Sequence, residues 1–577
     1  MKDQDNSQEA ILYGAVALGG IAGLLAVGPI TAILGFVMWN RTVLFKAMRK
    51  WKLFYLGISI AIISMITWYL WLDNFPIYFF EILNQEAFLH VKWVWIARLI
   101  DVGWFGGLGL LLLLAPILIQ LKNLSPRVKS SDFIYHFKDI KKFMTIFEDK
   151  NKIPLGFDLK RGTVCYLTEE QCYSHVLILG ATGSGKTTLI ILMILHAVYH
   201  KRPCIVIDPK GSDSTLKFIR LIGKVLDPNF DKRFKAFRLS KPKDSCQYNP
   251  LKHGNASQIK DRILEALNWS EQHYHALAGE FLVTITACAE FLKMPLNFSE
   301  VIRLTTKEAQ DGMLAILLEK ANLGGVQGAE AKDLHDRLTA LAGTLKDGDL
   351  SGLKAQLSIL NSPAMTPVLS FTESQNEIDL YEVLKKDQIA YFQLSTLGNP
   401  DTARRLSRMI TEDIKGLGSY VIDTVPEENL KYMPVFVDEF GSFASKEFIE
   451  NIKQLREAHF GVHLSTQGLE DLDAVSPAFG RSSSANPLTK IAFRLDDSET
   501  VERVCSWAGT IEAEEQSYQV SGSFLPKKTG LGNMRKTRQM LVEHDVLKNL
   551  NIGQAVVIEK SPTRITALGV FNPKNLL

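Results

Sequence analysis

The stretch Gly180-Ala-Thr-Gly-Ser-Gly-Lys-Thr-Thr188 follows the apolar run His175-Val-Leu-Ile-Leu179 and opens a second one, Leu189-Ile-Ile-Leu-Met-Ile-Leu195. A glycine-rich turn between a buried strand and a helix is a phosphate cradle. The backbone N–H groups of Thr182, Gly183, Ser184, Gly185 and Lys186 can converge on phosphate oxygens only where side chains do not obstruct them, which accounts for Gly180, Gly183 and Gly185. Lys186 is expected to reach the β- and γ-phosphates as a point charge. The Thr187 hydroxyl is expected to ligate Mg²⁺, and Thr188 closes the loop. The competing explanation, a chance glycine-rich turn, does not account for the placement between strand and helix.

Outward from this loop, the chain divides. Its 577 residues exceed what one core normally supports, so several units are expected. The net charge of +3 announces no global basic field. Cys165, Cys172, Cys204, Cys246, Cys288 and Cys505 form no C-x-x-C, so reduced structural thiols are expected rather than zinc or redox centres.

Residues 1–125 read as a transmembrane module. The runs Ile11–Trp39, Leu53–Leu72 and Val102–Leu121 are uncharged and long enough to cross a bilayer. Helices apolar on every face need lipid or a very large core. Arg41, Lys46, Arg49, Lys50 and Lys52 make the first connecting loop cytoplasmic by the positive-inside rule, and Lys122, Arg127 and Lys129 return the chain to the cytoplasm. The expectation is a multi-pass protein, N-out and C-in, with a small external segment between Asp73 and Asp101. A re-entrant hairpin broken at Gly28-Pro29 would reduce three spans to two.

From about Asn151 short β-rich runs alternate with helical stretches, an α/β pattern. Expected core strands are Val176–Leu179, Cys204–Ile207, Ile389–Leu394, Val435–Val437, Val462–Ser465 and Lys490–Arg494. Between roughly Ala256 and Leu369 the spacing turns helical, which predicts an all-α insertion. The expected units are therefore 126–255, first part of a P-loop domain; 256–370, the insertion; and 371–577, its second part. Glu512–Arg538 reads as a polar loop or hairpin.

Hydrolysis needs more than a cradle. Met433-Pro-Val-Phe-Val-Asp-Glu439 is an apolar strand ending in two acids: Asp438 would hold the metal shell and Glu439 would polarise the attacking water. Gln467 stands at the tip of the Val462–Ser465 strand as a candidate γ-phosphate or water sensor. His459 and His463 are not expected to bind metal, because Gly461 breaks the helix that would align them. Cys204-Ile-Val-Ile-Asp-Pro-Lys-Gly211 brings another carboxylate to the same sheet edge. Lys210 within it is open between phosphate contact, contact with a neighbouring subunit and a plain turn cap.

Taken together, Gly180–Thr188, Asp208-Pro-Lys-Gly211, Tyr248-Asn-Pro-Leu251, Val435-Phe-Val-Asp-Glu-Phe440 and Leu455-Arg-Glu-Ala-His-Phe-Gly461 running into Ser465-Thr-Gln467 resemble the type IV coupling proteins (the VirD4/TraD/TraG group). The resemblance covers essentially the whole length. It implies a RecA-like P-loop NTPase domain with an inserted all-α domain, behind an N-terminal transmembrane helical module. It further implies ATP and Mg²⁺ as cofactors, and a homo-hexamer in the bacterial inner membrane with the ATPase domain in the cytoplasm. Its expected partners are DNA, single-stranded and carried with a relaxase, or a protein cargo, together with components of a type IV secretion channel. Arg456 occupies the position of a candidate arginine finger acting on a neighbour's ATP, with Arg404 and Arg405 as local competitors. An ATP-switched receptor or gate and an FtsK-like DNA pump are the rival readings. No long acidic C-terminal tail is visible, which leaves the docking partner open.

Overall fold

The computed structural model describes residues 135–576, apart from 138, 270, 347, 371–373, 375, 444–451 and 522–526. The three expected spans lie outside the described residues. Among those described, one helix is long and apolar enough to cross a membrane, Gln272–Leu292; its Phe281, Leu282, Ile285, Cys288 and Ala289 are buried in the protein core.

The strands in chain order are β1 (Tyr135–His136), β2 (Lys152–Asp158), β3 (Val164–Thr168), β4 (Val176–Leu179), β5 (Cys204–Asp208), β6 (Phe234–Arg238), β7 (Gln247–Tyr248), β8 (Glu377–Ile378), β9 (Ile389–Gln393), β10 (Met433–Val437), β11 (Phe460–Thr466), β12 (Thr489–Ala492), β13 (Thr510–Ser521), β14 (Lys527–Met540), β15 (Gln554–Lys560) and β16 (Thr563–Asn572). A 12-stranded sheet runs β3-β2-β16-β15-β12-β4-β11-β10-β5-β9-β6, with β1 on β16. Its centre, β12-β4-β11-β10-β5-β9-β6, is parallel throughout. The wing β12-β15-β16-β2-β3 is antiparallel. The fold is thus a mixed α/β sheet with a P-loop on β4.

Of the central strands, β4, β5 and β10 are buried on both faces, which is why they read as almost unbroken apolar runs. Their period of two sorts side chains between two cores. Val176, Ile178, Cys204, Val206 and Phe436 face the helices Lys186–Tyr199 and Asp213–Leu226. Leu177, Leu179, Ile205, Ile207, Val435, Val437, Val462 and Leu464 face the helix Pro400–Thr424 and the helical stretch between β7 and β8. That stretch contains Ala256–Ala266, Gln272–Leu292, Phe298–Leu304, Lys307–Asn322, Gly325–Thr344, Ser351–Leu360 and Thr366–Leu369. It begins and ends at one place, because β7 and β8 pair in parallel, Tyr248 opposite Ile378.

One buried cluster joins the helical stretch to the helix Pro400–Thr424. Arg262 on helix Ala256–Ala266 lies 3.1 Å from Asp413 on helix Pro400–Thr424. Tyr248 donates its hydroxyl to the other Asp413 oxygen at 2.8 Å, and Arg262 also donates to the carbonyls of His253, at 2.8 Å, and Pro250. All three side chains are buried.

Among the described residues β13 and β14 pair with each other alone, in a ribbon whose backbone register sets Glu512 opposite Arg538, Glu514 opposite Lys536 and Glu515 opposite Arg535. The hairpin alternative for this segment is the one observed, by backbone register.

Candidate nucleotide site

Four adjacent parallel strands, β4, β11, β10 and β5, end at one edge of the sheet, and each delivers a polar residue there. Carboxyl ends of parallel strands are where α/β sheets bind ligands. The loop Gly180–Gly185 leaves β4 and enters helix Lys186–Tyr199. Gly185 adopts φ +124°, which a side chain would strain. A Cβ on Gly180 would lie 2.6 Å from Phe493 Cβ and 2.7 Å from Ser184 Oγ, so only glycine fits. The loop is pinned from outside: Ala181 N donates to Arg494 O at 2.8 Å, and Gly553 N donates to Ser184 O at 2.8 Å.

Lys186 is buried, and its ammonium donates to the carbonyls of Gly180 and, at 3.3 Å, Ala181. Burial pushes this ammonium below the usual lysine range, against the attraction of Glu439. The Ser184 hydroxyl is buried with no hydrogen-bond partner. A buried cation and an unpaired hydroxyl in a ring of backbone donors fit a polyphosphate.

Thr187 Oγ1 lies 3.4 Å from Asp438 Oδ2 at the end of β10, and Ser465 of β11 donates to Asp438 Oδ1 at 2.9 Å. A hydroxyl and a carboxylate side by side suit Mg²⁺, which takes oxygen ligands and is commonly bound through one or two carboxylates with substrate phosphates. Among the described residues there is no cluster of three or more His, Cys, Asp and Glu of the kind that holds a metal unaided.

Glu439 follows in the left-handed region at φ +46°, an uncommon conformation for a side-chain-bearing residue. Its Oε1 meets Lys210 Nζ at 2.6 Å and its Oε2 accepts from Gln467 Nε2 at 3.1 Å. Gln467 Oε1 in turn accepts from Thr182 Oγ1 at 3.2 Å, closing a chain back to the cradle. Burial pushes the Glu439 carboxyl up, but the hydrogen bond and charge of Lys210 outweigh it and hold the group below the usual glutamate range. The structure therefore brings together Gly180, Thr182, Gly183, Ser184, Gly185, Lys186, Thr187, Thr188, Asp438, Glu439 and Gln467.

Arg456 is elsewhere. It precedes β11, at the opposite edge of the sheet from Gln467, across seven residues of strand or roughly 23 Å. There it lines a pocket of about 890 Å³ with Tyr173, His175, Lys453 and His459. Arg405 is buried and donates to Gln356 at 2.7 Å, a packing role, whereas Arg404 is half-exposed beside Asp401. His463 stacks on Phe436 at 4.7 Å and meets Tyr432 Oη at 3.1 Å, while His459 stacks on Tyr173 at 4.7 Å. His463 is buried, and His459 is partly buried where it lines that pocket. All six cysteines are unpaired.

The sequence reading left Lys210 undecided and did not single out Ser465. The signal for Ser465 is its place one residue before Thr466-Gln467 on a strand already expected to border Asp438.

Residues 144–229 match the FtsK/SpoIIIE family model. Over 478 residues the chain is 22% identical to the type 4 coupling protein DotL of Legionella pneumophila, an alignment covering 73% of this chain and 60% of that protein. The chain thus spans less than two thirds of the curated relative's length. Among solved structures, the unbound bacterial conjugative coupling protein TrwBdeltaN70 is 15% identical with a TM-score of 0.49, covering 75% of this chain and 91% of that one. The plasmid coupling protein TrwB in complex with ADP and Mg²⁺ is 14% identical with a TM-score of 0.48, again covering 75% and 91%. By sequence, the chain is similar to a type 4 coupling protein, and the resemblance carried by its motifs is borne out.

Proposed function

We propose that the chain is the coupling ATPase of a type IV secretion or conjugation system, a RecA-like motor that takes a DNA–relaxase or protein substrate and passes it to the secretion channel. The observation that carries the ATPase reading is the convergence, from three neighbouring strand ends, of Thr182 with Gln467, Gln467 with Glu439 and Thr187 with Asp438 through hydrogen bonds, beside a buried Lys186 that bonds the loop carbonyls. In this reading the cradle and Lys186 hold the phosphates of ATP, and Thr187 and Asp438 hold Mg²⁺, which supplies charge neutralisation at the phosphoryl group. Glu439 orients the attacking water and receives its proton, and Gln467 reports the state of the phosphate end to β11. The coupling-protein reading adds residues 1–125 as an inner-membrane anchor, 256–370 as an insertion domain, a hexameric ring, and Arg456 acting on a neighbour's ATP.

Glu439→Gln in the full-length chain tests this. Expected are retained ATP binding, a fall in turnover of about a hundredfold or more, and loss of substrate transfer in a conjugation or secretion assay. Transfer that persists without turnover would replace the motor by an ATP-switched receptor or gate. Wild-type turnover should rise with single-stranded DNA and lose that stimulation as salt increases; no response to any DNA would favour a protein cargo.

A further inference from the structure

The turn Asp208–Gly211 is fixed far more firmly than a loop cap requires. Asp208 Oδ2 accepts from Tyr391 Oη at 2.7 Å and its Oδ1 accepts from Gly211 N at 3.1 Å. The Asp208 and Pro209 carbonyls accept from the Leu394 and Thr396 amides at 2.9 and 2.8 Å, and the Thr396 hydroxyl adds a third bond at 3.0 Å. Gln393 Nε2 reaches the Gly211 carbonyl at 2.9 Å. Gly211, at φ +66°, sits so close to Ser395 that a Cβ would come within 2.7 Å of that side chain. The backbone of Lys210 is thereby clamped to the end of β9, and its side chain has one carboxylate within hydrogen-bonding reach, Glu439 Oε1 at 2.6 Å, with Asp438 Oδ2 at 3.9 Å.

We propose that Lys210 is a positioning residue of the ATPase site: with Gln467 on the other oxygen, it fixes the rotation of the Glu439 carboxylate toward the attacking water. The proposal rests on the ATPase reading above. The alternative is an ordinary surface ion pair, since the Lys210 side chain is 42% exposed. Such pairs contribute little, so removing the charge should leave the fold intact, and any loss of turnover then reports on Glu439. The Glu439 side chain turns about its own torsions, so a donor on each carboxylate oxygen narrows it to one orientation.

The test uses the full-length chain with K210M, K210R, E439Q and the K210M/E439Q double variant, measuring fluorescent ATP-analogue affinity and steady-state turnover. Expected for K210M is a drop in kcat of roughly tenfold or more with affinity held within about threefold. K210R should recover much of the turnover, because it restores a donor cation. In the E439Q background K210M should cost nothing further, since the group it positions is gone. K210M with wild-type turnover overturns the proposal. So does a loss of affinity in step with turnover, which would make Lys210 a phosphate contact. A wild-type chain that turns over no ATP sinks the ATPase reading as well, and the wild-type measurement alone separates that failure from the others.

Discussion

At the scale of single residues, the site is held by what cannot be added as much as by what is present. Gly180 has no space for a methyl group, because Phe493 and Ser184 stand 2.6 and 2.7 Å from where its Cβ would be. Gly180→Ala must therefore displace the loop and swing its N–H donors off a common centre. ATP-analogue affinity should fall about tenfold or more while far-ultraviolet circular dichroism stays unchanged. Gly312→Ala is the control: nothing lies within 4 Å of its Cβ position and it sits mid-helix, so binding should be unaltered. Equal behaviour of the two variants would remove the steric account. The place of Asp438 and Glu439 at the sheet edge was legible, because the apolar run before them ends at two acids where the strand leaves the core. Lys210 was not, because its meaning depends on Tyr391, Gln393 and Thr396, about 180 residues further along the chain.

Among the elements, the buried ion pair between Arg262 and Asp413 decides how the helical stretch is attached. Arg262→Met keeps the volume but leaves Asp413 buried without its counter-charge, which should cost about 3–5 kcal/mol in chemical denaturation. Adding Asp413→Asn should recover most of that loss, since the double variant buries no charge. A single variant as stable as wild type would mean water already reaches Asp413. Six strands of the parallel centre were readable from sequence because burial on both faces makes them largely apolar runs; β6 was not, because Lys235 and Arg238 interrupt its apolar residues. Of the antiparallel wing beyond β12, the apolar run Ala555–Ile558 in β15 was readable, whereas β2, β3 and β16 were not. β2 contains Pro154 and Gly156, and its partner β16 lies some four hundred residues away, with Gly569 O only 2.2 Å from where a Cβ on Gly156 would stand. A strand whose composition is set by so distant a neighbour carries no local periodic signal. Helix Pro400–Thr424 also escaped the reading, because its buried face includes Arg405, Glu412 and Asp413, which break the apolar stripe that marks a helix.

For the whole molecule, buried imidazoles set a lower limit on working pH. Burial pushes His463 and His196 down to about 3 and His175 to about 4. The unfolded chain takes up protons near pH 6.5 that the folded chain refuses, so this contribution is complete above pH 6.5 and declines as pH falls toward the folded values. His463→Gln should therefore flatten the change in Tm between pH 7.5 and 5.5 relative to wild type. An equal or steeper slope would show that His463 is charged in the fold. The separation of Arg456 from the phosphate cradle has its own consequence. If Arg456 completes a neighbour's site, each contact sets one strand end of the sheet against the other strand end of the next copy. A two-fold axis meets that demand only where both ends lie on one shared patch, so that each copy lends its guanidinium and receives its partner's. Where they do not, the contact is heterologous, and association ends only when the rotation between copies closes on itself.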